Sequence, residues 1–273
     1  MSARTVRRRL LRVGEGTVRW RGDDVVAEEP LEIRIGGAPV AVTMRTPGND
    51  FELCVGFLLS EGLVESAEQV ARIETCAWKD SGLLNVLDVT LRAGAPRFDP
   101  SAARNFYTTS SCGLCGKASI DAIRTRALWD VRDDALRVTP ALLASLPAQL
   151  FDAQHAFART GGLHAAALFS ADGVRGCVRE DVGRHNAVDK VVGWAATERL
   201  LPLRSHVLMV SGRASFELTQ KALMAGIPML AAVSAPSSLA VDLADESGMT
   251  LVGFLRGSTM NVYTGAHRIA TPD

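Results

Sequence analysis

Between Ala222 and Val241 the chain runs for twenty residues without a charge, but Gly226, Pro228, Ser234, Pro236, Ser237 and Ser238 interrupt it. A membrane span needs about twenty consecutive apolar residues in one helix, and these breakers forbid that. The segment reads instead as a helix end, a buried strand, a turn and the next helix. The same alternation extends on both sides. Strands are expected at 164–169, 174–179, 206–211, 228–233 and 249–255, and helices at 184–199, 214–225 and 237–247. This is the pattern of βαβ units in a layered sheet.

The upstream half reads differently. Leu31–Ile35, the turn Gly36-Gly37-Ala38-Pro39 and Val40–Met44 form a hairpin of period two. Asn49 or Asp50 then caps a helix carrying Phe51, Val55, Leu58 and Leu59, which Gly62 ends. Strands are expected at 69–77 and 83–91, a linker near Pro96–Pro100, and helices at 117–128, 139–146 and 148–158. The expected plan is a basic arm at 1–24, a small α/β domain at 25–100, a mobile cysteine loop at 101–117 and a layered α/β domain at 118–273. The fold class is α/β within an α+β whole.

Composition narrows function only a little. Thirty basic and thirty acidic residues cancel, so global charge selects no partner, nucleic acid included. Arg4, Arg7, Arg8, Arg9 and Arg12 precede the first acid, Glu15, with no apolar run behind them to make a signal peptide. That start reads as a solvated strand or arm that can touch an anionic partner. Five cysteines do not make a disulfide framework and point to a reducing compartment, by default the cytoplasm.

Two of those cysteines form the one Cys-x-x-Cys in the chain, in Thr108-Thr-Ser-Ser-Cys112-Gly-Leu-Cys115-Gly-Lys117. A thiolate is favoured by a helix N-terminus and a nearby cation, which the expected helix and Lys117 supply. Zinc needs two further ligands with paired spacing, and none is present, so no structural metal is expected. A dithiol oxidoreductase and a sulfur carrier both remain. Zinc deaminases combine H-x-E with a later P-C-x-x-C; here His164-Ala165-Ala166 lacks the glutamate and follows the cysteines.

Three strand-to-helix turns, Asp181–Asn186, Ser211–Ser215 and Ser234–Ser238, place small or polar residues where helix N-termini offer N–H groups. In parallel sheets such turns gather at the carboxyl ends of strands, and helix N-termini favour phosphate. Arg184 and Arg213 add charge. Helix capping alone would also explain any single turn.

Taken in order, Arg45–Asp50, Phe57–Gly62, Ser111–Gly116, Thr160–His164, Glu180–Lys190, Ser211–Arg213 and Phe254–Gly257 resemble the FdhD family of formate dehydrogenase accessory sulfurtransferases. The resemblance covers residues 25–265. It implies a second domain of cytidine-deaminase-like fold, a homodimer, and sulfur taken from a cysteine desulfurase as a protein persulfide. The acceptor it implies is the molybdenum (or tungsten) bis-guanine-dinucleotide cofactor, handed on to formate dehydrogenase. Cys112 would carry the sulfur with Cys115 as partner. Phe254, Leu255, Arg256, Gly257, Ser258 and Thr259 would bind the cofactor, joined on the residues' own reading by Arg184, His185, Ser211, Gly212 and Arg213. A non-catalytic cofactor chaperone is the rival. Of the rest, Cys54, Cys76 and Cys177 read as small core residues, His164 as structural, Asp189 and Lys190 as a surface pair, and the tryptophans as packing.

Overall fold

The computed structural model describes residues 3–14, 16–77, 84–95 and 127–270. The arginine-rich start is an antiparallel ribbon, β1 (Thr5–Gly14) and β2 (Thr17–Val26), which forms a two-stranded sheet of its own. The expected hairpin follows as β3 (Glu29–Ile35) and β4 (Ala38–Arg45). Its turn residues Gly36 and Gly37 sit at φ 55° and 80°, a region open to glycine. After α1 (Asp50–Ser60), β5 (Val70–Cys76) and β6 (Val86–Leu91) complete a four-stranded sheet of order β4-β3-β6-β5.

The helical stretches expected at 139–146 and 148–158 divide elsewhere. One helix, α2 (Pro140–Asp152), runs through Pro147, and a short α3 (His155–Thr160) follows. Thr139 caps α2 by accepting from the Leu142 N–H at 3.1 Å, and Pro140 takes the first position, where its missing N–H costs nothing. An interior proline costs about 3 kcal/mol. Burying Leu143, Leu146 and Leu150 on one face recovers about 1.5–3 kcal/mol each, so packing overrides the breaker.

Then come β7 (His164–Ser170), β8 (Arg175–Asp181), α4 (Arg184–Thr197), β9 (His206–Val210), α5 (Phe216–Met224), β10 (Met229–Ala232), α6 (Ser238–Glu246), β11 (Thr250–Arg256) and β12 (Thr259–Thr264). These match the expected strands and helices to within two residues, except that β12 was not foreseen. The six strands form one sheet of order β12-β11-β10-β9-β7-β8, with β9, β10 and β11 parallel. Side chains alternate between two cores: Val207, Met209, Met229 and Ala231 face the α2 leucines, while Leu208, Val210, Leu230 and Ala232 face the other way. This period of two, apolar at every position, marks strands covered on both faces.

The second core is continuous with the small sheet. Leu31, Ile33 and Val89 join Leu53 and Leu58 of α1, Val188 and Val191 of α4, and Leu208 and Leu230 in one cluster. At its centre α1 and α4 cross with their backbones in contact. A Cβ on Gly193 would lie 1.8 Å from the Glu52 carbonyl oxygen, and one on Gly56 1.8 Å from that of Asp189. Neither carbonyl can retreat without moving a helix. Gly193→Ala is therefore expected to destabilise by about 3 kcal/mol or more, read from the urea midpoint. Gly176→Ala, whose Cβ meets nothing closer than 3.7 Å, should stay within about 0.5 kcal/mol.

Candidate site at the carboxyl edge of the sheet

β7 runs antiparallel to both β8 and β9, so β8 points the same way as the three parallel strands. The carboxyl ends of β8 to β11 and the start of β7 consequently share one edge. All three small-residue turns lie on it, and the second and third are bound to each other and to the start of β7. Ser211 donates its N–H to the Ala165 carbonyl at 3.0 Å, and its hydroxyl accepts from the Ala165 N–H at 2.9 Å. Ser234 N–H reaches the Gly212 carbonyl at 3.2 Å, and Ser237 N–H that of Ala214 at 3.0 Å. Several amides expected to be free for a ligand are thus spent in holding the turns together. The charged side chains carry more of any anion contact than the reading of the turns assumed.

Those side chains converge. The His185 Nε2 lies 3.5 Å from the Ser215 hydroxyl and 3.8 Å from a Glu217 carboxylate oxygen. The His185 imidazole at that ion-pair distance holds the Glu217 carboxyl down at about 2, against the opposing pull of burial. His164, half-buried at the start of β7, titrates below its usual range, first because it is desolvated, then because Arg184, His185 and Arg213 lie near. A Cβ on Gly212 would sit 3.4 Å from the His164 Nδ1, an ordinary contact that places the Ser211–Arg213 turn beside the ring. His164, read as structural, belongs to this group. The Arg184 Nε is buried and has no protein partner, while Arg213 is exposed. An unpaired buried guanidinium nitrogen is costly and suits an anionic oxygen.

The β11 segment divides. Phe254, at φ 50°, bonds its N–H to the Ser234 carbonyl at 3.1 Å, which brings it to the same edge. The Arg256 Nε donates to the Val233 carbonyl at 2.9 Å, and the guanidinium lies 5.8 Å from the Phe254 ring. Leu255 points into the core and is fully buried. Gly257, Ser258 and Thr259 form the exposed turn into β12.

Beneath the edge lies a network that sequence reasoning missed. Asp189 and Lys190 are buried and do not pair on the surface. Lys190 reaches an Asp181 carboxylate oxygen at 2.7 Å and the Thr46 carbonyl at 2.9 Å, while Asp189 pairs with Lys221 at 3.0 Å. Burial pulls the Lys190 ammonium down, opposed by Asp181. Asp181 also accepts from the amides of Gly183 (2.8 Å) and Thr46 (3.1 Å) and from the Asn186 side chain at 3.0 Å. The signal was present: an Asp and a Lys nine residues apart flank the turn, and Thr46 lies in the Arg45–Asp50 block.

Cys112 and Cys115 lie outside the described residues, as do the linker expected near Pro96–Pro100, the loop expected at 101–117 and all but the end of the helix expected at 117–128. Of the other thiols, Cys54 and Cys177 are buried, and burial pushes both up to about 12, so neither is a nucleophile at neutral pH. Cys76 is only partly buried.

Glu217 sets a sign for acid stability. Its native carboxyl titrates near 2 against an ordinary 4.5. The unfolded chain therefore takes up the proton first, and the stabilisation, complete above pH 4.5, is lost as pH falls towards 2. Glu217→Gln is expected to flatten this acid limb in urea titrations across that window. Unchanged slopes would mean that His185 does not hold the carboxylate.

The model of the FdhD/NarQ family matches residues 26–270. The protein called sulfur carrier protein FdhD in Streptomyces avermitilis is 61% identical over 270 residues, covering 97% of this chain and 96% of that one. Those of Mycobacterium tuberculosis and Thermoplasma volcanium, under the same name, are 56% and 44% identical over 98% and 90% of this chain and 100% and 89% of theirs. A crystal structure of a formate dehydrogenase accessory protein from Desulfotalea psychrophila superposes with a TM-score of 0.79. It covers 98% of this chain and 100% of its own at 23% identity, a likeness of fold. From the fold, the ordered motifs and these relatives, the chain belongs to the FdhD/NarQ family.

Proposed function

We propose that this chain is a sulfurtransferase that carries persulfide sulfur from a cysteine desulfurase to the molybdenum bis-guanine-dinucleotide cofactor, for use by formate dehydrogenase. The observation that carries the reading is the gathering of Arg184, His185, Arg213 and Arg256 on one edge of the sheet, with Arg184 and Arg213 both near His164. A dinucleotide cofactor presents pyrophosphate, and arginine forks suit phosphate oxygens. The orphaned Arg184 Nε fits such a group. Relatives carrying the name sulfur carrier support the transfer role.

Sulfur chemistry falls to the dithiol. The Cys112 thiolate attacks the outer sulfur of the donor's persulfide, the donor's thiolate leaves, and Cys112 holds the persulfide. Attack by the Cys115 thiolate on the inner sulfur then releases hydrosulfide and leaves a Cys112–Cys115 disulfide, which a cellular thiol must reduce before the next turn. The cofactor is substrate here: its metal takes the hydrosulfide's sulfur in exchange for an oxygen ligand, which leaves as hydroxide with the hydrosulfide's proton, and the protein holds its phosphates. The homodimer and a cytoplasmic site of action belong to the same reading. Among the described residues no helix is long and apolar enough to cross a membrane.

Incubation with a cysteine desulfurase and cysteine, followed by peptide mass spectrometry, is expected to add the mass of one sulfur atom to the peptide containing Cys112. Cys112→Ala should lose that adduct and reduce formate dehydrogenase maturation at least about 10²-fold, as removal of a nucleophile does. An unmodified peptide, with Cys112→Ala fully competent in maturation, would leave the chaperone reading instead. A reversible disulfide turned over by reductant, with no persulfide, would favour the oxidoreductase.

A further inference from the structure

The β1–β2 ribbon stands apart from both larger sheets, and its two faces differ in chemistry. Its register pairs Leu11 with Trp20 and Val13 with Val18 on one face, and Arg12 with Arg19 and Leu10 with Arg21 on the other. Leu11, Val13, Val18 and Trp20 are 44%, 70%, 65% and 60% exposed, so the outer part of the first face is an open apolar patch. The Arg9 guanidinium covers one edge of it, 4.6 Å from the Trp20 ring. The opposite face carries Arg8, Arg12, Arg19 and Arg21. Arg12 directly opposes Arg19, a like-charge pair that weakens a two-stranded ribbon already marginal in water. Among the described residues the ribbon's acids are at its root, where Asp23 pairs with Arg21 and Asp24 with Arg7 and Arg159.

That root adjoins the candidate site. A Cβ on Gly162 would lie 3.1 Å from the Val26 side chain, two residues before His164. The Arg4 guanidinium donates to the Asn49 side-chain Oδ1 at 2.6 Å, in the loop that holds Thr46. The docking half begins about 20 Å further along the ribbon, at about 3.3 Å per residue, so a partner gripped there must be large enough to reach back to the sheet edge.

A partner must meet both faces. A nucleic acid would neutralise the arginines and leave three aliphatic side chains bare. A bilayer would take the apolar face and leave the arginine face pointing away from the lipid headgroups. A protein cleft with one apolar and one acidic wall satisfies both, and tryptophan and arginine are the side chains that dominate such interfaces. We propose that the outer half of the β1–β2 ribbon is a docking arm that enters a cleft of the client protein, its Trp20 face on an apolar wall and its Arg12–Arg19 face on an acidic one. The choice of client rests on the sulfur-carrier reading, in which formate dehydrogenase receives the product of the adjacent edge.

The test uses the full-length chain and purified apo formate dehydrogenase from the same organism, with binding measured by biolayer interferometry. Wild-type affinity is expected to fall at least about tenfold between about 50 and about 300 mM salt. Arg12→Gln with Arg19→Gln removes the like-charge repulsion, so the ribbon should hold or gain thermal stability while docking weakens by about tenfold. Val18→Ser with Trp20→Ser should weaken docking by a similar factor, and exposed arginines elsewhere, in Arg72→Glu and Arg175→Glu, should leave it within about twofold. Persulfide loading of Cys112 should be unchanged in every variant, which separates this proposal from failure of the sulfur chemistry. Full affinity in both ribbon variants would overturn it. So would absence of wild-type binding, loss of desulfurase binding in place of the client's, dissociation of a dimer of this chain in the ribbon variants by sedimentation, or tighter ribbon-dependent binding to single-stranded RNA or phosphatidylglycerol vesicles.

Discussion

The carboxylate of Asp181 is the point on which the architecture turns. It is wholly buried, yet it accepts from the amides of Thr46 and Gly183, the side chain of Asn186 and the ammonium of Lys190. A buried carboxylate tolerates desolvation only when its lone pairs are filled and a cation lies beside it, and both conditions are met. Removing Lys190 would leave the charge unpaired, a defect that costs about 3–5 kcal/mol in other buried pairs. Through these bonds one side chain fixes the β8–α4 turn and ties it to the end of β4, 135 residues earlier in sequence. The glycine crossing of α1 on α4 brings the two halves close enough for that tie to form.

The candidate site sits directly on this knot. Asn186 and Asp181 hold the turn from below, and Arg184 and His185, from the same turn, rise to the edge. The edge is cationic in a chain whose net charge is zero, so its attraction for anions is local. Glu217 balances part of that charge and faces His185 at ion-pair distance. The inter-turn bonds from Ser211, Ser234 and Phe254 make the edge a fixed frame before any ligand arrives.

Much of this was legible because periodicity and breakers speak locally. The strands from His164 to Arg256 and the helices between them follow from apolar runs punctuated by Gly, Pro and Ser, and the edge follows from the parallel order they imply. Three features were hidden for physical reasons. Pro147 signals a break, but three buried leucines on α2 outvote it. β12 is an edge strand, largely exposed, so it has no apolar period to announce it. Asp189 and Lys190 read as a solvated pair because charges usually are; their burial depends on Lys221, Asp181 and Thr46, distant in sequence. The ribbon was readable as a strand, but its two-faced chemistry appears only once the register is known.

The central claim is that the sheet edge holds phosphate through Arg184, Arg213 and their neighbours. Calorimetric titration of guanosine diphosphate into the wild-type chain and into Arg184→Ala and Arg213→Ala tests it most directly. The account predicts saturable binding to the wild type, weakened about tenfold or more by either substitution. Equal affinity in all three proteins, or no binding to the wild type, would contradict it.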